Sequence, residues 1–257
     1  MTNTIFAHIP YPQLQTRLAY FTARGINPEI FFSSESLDTM IPEQLAAVAD
    51  VLTTAGLKCT IHAPFMDLSP GSPEPLLRKA TSHRFAQVLA AAQILKPVIV
   101  VFHPGYDRWR YGDIRDKWLG YSIETWQAVL ERAAGIGCTI AVENIFEEEP
   151  STLVALMEAV AAPNFRHCFD VGHWNLFKKV GLAEWFAALG GYIAEAHIHD
   201  NRGLRDDHAP LGEGNIDFPL FFRLMKQYAP QAAWTIEAHS REELERALLN
   251  LRNYATE

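Results

Sequence analysis

Arg84–Gly105 reads RFAQVLAAAQILKPVIVVFHPG, and two kinds of element meet inside it. The first half, RFAQVLAAAQIL, is rich in Ala and Leu with apolar residues at helical spacing, which suits an amphipathic helix. Val98–His103 is a short β-branched and aromatic run, which suits a strand. The same alternation recurs on both sides. Strand-like runs fall at Thr4–Ile9, Pro28–Ser33, Lys58–His62, Val98–His103, Thr139–Glu143, His167–Val171, Tyr192–His199 and Ala233–Glu237, separated by helix-like stretches such as PEQLAAVADVLTTAG at residues 42–56. Eight strands with intervening helices predict an α/β fold, a single (β/α)8 TIM barrel.

The punctuation agrees. Gly25, Gly56 and Gly137 stand where helices should stop, and Ser240 with Glu243 has the spacing of a capping box. No Pro/Gly/Ser-rich linker divides the 257 residues, so the expectation is one barrel domain over residues 1–257. Hydrophobic residues make up 49% and charged residues 20%, which argues against long disordered stretches. A net charge of −8 makes the average surface repel polyanions, so nucleic acid is the less favoured partner. Cys59, Cys138 and Cys168 are widely spaced and flanked by apolar residues, which points to buried thiols and not to a disulfide framework. The opening MTNTIFAHIPYPQ lacks a signal-peptide pattern, and no apolar run is long enough to cross a bilayer. A cytoplasmic location without membrane contact is therefore expected; the sequence leaves the oligomeric state open.

Polar residues with metal-binding atoms recur at the C-terminal ends of these runs, which in such a barrel open onto one face. Run three ends in His62, run four in His103, run five in Glu143-Asn144, and run six in Asp170-Val171-Gly172-His173. Runs seven and eight supply His197, His199 and Glu237. Strand alternation turns Ala141 and Glu143 inward with Ile140 and Val142 outward, and does the same for Cys168 with Asp170 and for Thr235 with Glu237. Glu195, His197 and His199 also face in, Glu195 lying deeper as an expected internal ion-pair partner. A lone strand histidine is more often a hydrogen-bonded core residue than a ligand. So many carboxylates and imidazoles converging on one mouth, however, are costly without cations, and Zn2+ or Mn2+ accepts such mixed ligands.

The HAP and FHPG strand ends, the VEN glutamate, FDVGH, HIHDN, the DDHAPLGEGNID loop and the final IEAH together resemble the xylose isomerase-like TIM-barrel superfamily, which includes sugar isomerases and epimerases and the endonuclease IV family. The resemblance spans nearly the whole chain, and LGEGN with its upstream Asp-x-His is its most specific part. It implies divalent metal ions (Zn, Mn or Mg), one to three per chain. The one-metal epimerases of the superfamily imply a quartet of Glu143, Asp170, His197 and Glu237. The three-zinc site of endonuclease IV implies five more ligands: His62, His103, His173, Asp206 and His208.

Ligands identify a site and not its substrate. In a metal-dependent isomerase or epimerase of a sugar or sugar phosphate, Glu143 and Glu237 would be the acid/base pair beside a metal-bound carbonyl, and His173 would orient a hydroxyl. This reading is preferred, because the early loops, such as HIPYPQ, carry no obvious DNA-intercalating insert. The alternative is a zinc phosphodiesterase of the abasic-site endonuclease kind, and a further one is a non-catalytic metal-binding barrel. Arg108, Arg110, Arg202 and Arg205 follow strands four and seven and are candidates to clamp a phosphate, with solvated loop arginines as the plainer reading. Trp109, Phe65, Phe146 and Trp174 are candidate pocket walls, while Glu147-Glu148-Glu149 reads as a solvated loop or the acidic start of a helix.

Overall fold

The computed structural model describes residues 3–255. Eight parallel strands close into a barrel in sequential order. They are β1 (Ile5–Pro10), β2 (Asn27–Phe31), β3 (Thr60–His62), β4 (Ile99–Phe102), β5 (Thr139–Glu143), β6 (Phe165–Asp170), β7 (Ile193–Ile198) and β8 (Ala233–Ile236). Closure is made by β1 against β8, with Phe6 opposite Thr235. All eight expected runs are strands, and the differences lie at their edges. Lys58 precedes β3, while β6 starts at Phe165, ahead of the expected His167. Val171 opens a short helix, Val171–Phe177, because the Asp170 carboxylate accepts the His173 amide at 2.6 Å and caps that turn.

Strand alternation divides the apolar residues into two cores. Phe6, Ile99, Val101, Ala141, Cys168 and Ala233 fill the barrel interior. Val100, Phe102, Ile140, Val142 and Phe169 face the surrounding helices. On the helix Pro75–Leu95, Phe85, Val88, Leu89, Ala92 and Leu95 form the buried stripe, and Phe85 stacks on Trp126 at 5.3 Å. The expected helix ends hold: Gly25 and Gly56 have φ of 63° and 68°, and Ser240 accepts the Glu243 amide while donating to its carboxylate. All three thiols are buried and free. Among the described residues no helix is long and apolar enough to cross a membrane.

One loop needs more than strand geometry to hold it. After β7 the chain runs outward and returns, pairing Asp200 with Ala209 in an isolated antiparallel bridge. The buried Asp200 carboxylate then accepts four backbone N–H groups: Asn201 at 2.9 Å, Gly212 at 3.0 Å, Gly214 at 2.8 Å and Ile216 at 3.3 Å. The two glycines of LGEGN are explained by this clasp. Gly212 has φ of 84°, and a Cβ on Gly214 would lie 2.2 Å from Asp200 Oδ1. Replacing Asp200 by Ala strands several donors at once, so Asp200→Ala is expected to cost at least about 3 kcal/mol in urea unfolding and to speed hydrogen exchange at Gly212 and Gly214. Unchanged exchange at those amides would show that the clasp does not hold the loop.

Candidate metal centre

Glu143 ends β5 with its side chain turned to the barrel axis and only 1% exposed. Its Oε2 lies 3.1 Å from His62 Nε2, 3.2 Å from His103 Nε2 and 3.3 Å from His197 Nδ1, and its Oε1 lies 3.0 Å from His173 Nδ1. Asp170 faces the same space at the end of β6. Its Oδ2 is 3.1 Å from His199 Nε2, 3.5 Å from His173 Nδ1 and 3.8 Å from His197 Nδ1. Glu237, just past β8, sets Oε1 3.4 Å from His197 Nδ1 and Oε2 3.5 Å from His208 Nδ1. Asp206 closes the outer side, with Oδ2 3.4 Å from His173 Nε2 and 3.1 Å from His208 Nε2. The structure thus brings all nine sequence-predicted ligands into one connected cluster.

The cluster has the donor chemistry and spacing of a cation site. His103 Nε2, both nitrogens of His197 and His199 Nδ1 are buried without a well-aligned hydrogen bond, although carboxylate oxygens stand beside them. Nitrogen and oxygen ligands at 2.0–2.2 Å from one tetrahedral ion lie about 3.3–3.6 Å apart, and the contacts above fall around that separation. His62 with Glu143 and His197, Asp170 with His173 and His199, and His199 with His208 and Glu237 are three groups that could each hold an ion.

The imidazoles offset the charge of the buried carboxylates. Burial alone would raise the Glu143 carboxyl, but the charges of His197 and His103 hold it well below the usual carboxylate range. Burial is likewise overcome at Asp170 by His173 and His199, and at Glu237 by His197 and His208. The reciprocal effect lifts His173 and His197 well above the ordinary histidine value, against their burial. His208 is lifted to about 9, its burial outweighed by the hydrogen bond it donates to Asp206 and by the charge of Glu237. His103 is the exception, lowered because burial wins.

Several residues of this cluster escaped the sequence reading. Glu29 in β2 and His8 in β1 carried no flanking motif, yet His8 Nδ1 lies 3.4 Å from Glu29 and 3.6 Å from Glu237. Burial alone would raise Glu29, but His197 and His8 keep it ionised, below the usual range. His239 stacks on His208, which stacks on His199 at 4.0 Å. The one available signal was strand parity, which puts Glu29 in phase with the inward residues of β2.

Other expectations are corrected. Glu195 is not an ion-pair partner: burial first and the nearby Glu29 charge second push it to about 8, and it takes the Thr235 hydroxyl. Glu147 is 3% exposed and accepts the Ile145 amide, with burial raising it to about 7, so it is no solvated loop carboxylate. Trp109 is 83% exposed with Arg108 over its ring, and is not packed into a pocket wall. Trp174 is buried in the core, and its indole donates to the Val180 carbonyl. Arg108 pairs with Glu148 at 3.0 Å, Arg110 pairs with Asp107 at 3.4 Å, and Arg202 donates to the Glu213 carbonyl at 3.1 Å. Arg205 is exposed on the same loop as Asp206. Phe65 does line the cluster, stacked on His103 at 4.5 Å.

A closed parallel eight-stranded barrel with a histidine and carboxylate cluster at the C-terminal mouth of its strands defines a TIM barrel whose mouth could hold metal ions. The family model described as xylose isomerase-like TIM barrel matches residues 25–254, and the chain belongs to that family. An uncharacterized protein of Methanocaldococcus jannaschii is 27% identical over 210 residues, covering 79% of this chain and 72% of its own. A probable endonuclease 4 of Mycobacterium leprae is 24% identical over 193 residues, covering 71% and 74%. The crystal structure of a D-tagatose 3-epimerase-like protein superposes with a TM-score of 0.84 at 24% identity, covering all of this chain and 97% of that one, and shows the shared fold.

A metal ion held by these nitrogens would compete with protons for them, which sets a pH dependence. Because the folded value of His208 is raised, its stabilisation of the metal-free protein is present below about 6.5 and lost as pH rises toward about 9. Zn2+ needs the neutral ring. The rise in Tm on adding Zn2+ is therefore expected to be larger at pH 8.5 than at pH 6.5, with proton release on binding in weak buffer. A smaller rise at the higher pH would contradict this charge balance.

Proposed function

We propose that the protein is a divalent-metal-dependent isomerase or epimerase of a sugar or sugar phosphate. One observation carries the reading: Glu143, Asp170 and Glu237, from three different strand ends, converge on the single nitrogen Nδ1 of His197 at 3.3–3.8 Å. That quartet would hold the ion, Zn, Mn or Mg, whose chemistry is to polarise a substrate carbonyl and the hydroxyl beside it. Glu143 and Glu237 then flank the substrate carbon from β5 and from the end of β8, so that one carboxylate withdraws its proton and the other returns one. His173, reached by Glu143, Asp170 and Asp206, orients a hydroxyl. A cleft of about 620 Å3 opens beside His8 and His239, and its lining includes Arg17 and Arg241. None of the nine ligand positions lines it, and Arg241 is paired there with Glu245 at 3.1 Å, which leaves Arg17 as the cation suited to an anionic substituent. Arg205 remains a candidate for the same task from the opposite loop.

A second reading, a zinc phosphodiesterase, is favoured by a separate observation. Asp206 stands between His173 and His208 at 3.4 Å and 3.1 Å, while His62 and His103 flank Glu143, so there are ligands for a second and a third ion. Metal content by mass spectrometry of protein purified without added metal separates the two. About one ion per chain is expected of the epimerase, and two or three would favour the hydrolase. In the epimerase, Glu143→Gln and Glu237→Gln should each abolish deuterium uptake from D2O into a ketose panel, with at least a 100-fold loss. Wild-type exchange in either variant would reject the acid/base assignment.

A further inference from the structure

Glu29 is a fully buried carboxylate that belongs to none of the nine ligand positions. Its neighbour Ile30 packs outward in the helix-facing core, so the alternation of β2 turns Glu29 to the barrel axis. There Oε2 lies 3.3 Å from His197 Nε2 and accepts from the Thr60 hydroxyl at 3.2 Å, while Oε1 lies 3.4 Å from His8 Nδ1. The opposite nitrogen of the same ring, Nδ1, faces Glu143, Glu237 and Asp170. Glu195, which accepts the Thr235 hydroxyl, lies in the same group as Glu29 and His197, so the ring stands between these two carboxyl groups on one side and three on the other.

A neutral imidazole carries one proton, and the partner of each nitrogen decides which one keeps it. A carboxylate only accepts, so a proton on Nε2 is matched by Glu29 and leaves the Nδ1 lone pair free. Nε2 stands 3.3 Å from Glu29 Oε2, within reach of a hydrogen bond though not well aligned for one. Thr60 and His8 pin the carboxylate from two other strands, so it is a fixed reference against which the ring can be set.

We propose that Glu29 is a positioning residue for the metal centre: it fixes His197 with the proton on Nε2 and aims Nδ1 at the ion. This rests on the metal-dependent reading above, and it concerns affinity and ring orientation, not turnover. Partners of this kind behind a ligating histidine are worth about 10- to 100-fold in metal affinity.

The test compares wild type, Glu29→Ala and Glu29→Gln. The measurements are the Zn2+ dissociation constant by competition with a chelating dye, and the exchangeable imidazole N–H proton signal of His197 in the Co2+-loaded protein. Glu29→Ala is expected to weaken binding by about 10- to 100-fold and to lose the protected N–H signal. Glu29→Gln, whose amide oxygen still accepts, should stay within about threefold of wild type and keep that signal. Wild-type affinity in Glu29→Ala, or equal losses in both variants, would overturn the proposal; if Glu29→Ala does not fold, loss of the N–H signal in Glu29→Gln does so. A wild-type protein that takes up no Zn2+ would instead remove the metal reading itself.

Discussion

The structure turns on a carboxylate that water cannot reach. Glu143 is buried at the centre of the barrel mouth, where an unpaired charge would be untenable, and the four imidazoles of His62, His103, His173 and His197 meet its two oxygens. These rings come from four different strand ends, so one ionised group fixes the relative heights of β3 to β7 around the axis. Histidines raised in their proton affinity, His173 and His197 above all, offset the charge, and a bound cation would do the same in place of their protons. Fold and chemistry share one electrostatic condition.

The same economy appears at Asp170. One oxygen caps the helix that starts at Val171, while the other faces His173, His197 and His199. Asn144, next to Glu143, donates to the Asp170 carbonyl and accepts its amide, each at 2.9 Å. The VEN and FDVGH segments are thereby clasped together. Gly172 is part of the fit, since a Cβ there would lie 2.0 Å from His199 Cε1.

Much of this was legible in the sequence because strand parity and strand ends are one-dimensional signals. Glu143, Asp170, His197 and Glu237 each lie within two residues of the end of a β-branched or aromatic run, and a closed barrel sends such ends to one place. Glu29 and His8 were harder to read: they sit within runs, and only the closing of β1 and β2 against β8 and β3 brings them beneath His197 and Glu237. Glu147 was misread because three successive glutamates look like a solvated face, whereas the turn after β5 folds the first of them inward. Trp109 and Trp174 show the limit of proximity along the chain. Both lie near strand ends, but one is swung into solvent on the turn after β4 and the other is drawn beneath the loops by its indole N–H.

The clasp at Asp200 bears on how such a barrel changes over evolutionary time. The base of the loop is fixed by a carboxylate gripping Asn201, Gly212, Gly214 and Ile216, and Asp206 and His208 sit on the arc between. Neither Asp206 nor His208 takes part in that grip, so the side chains on the arc can be exchanged one at a time while its base stays held to the barrel.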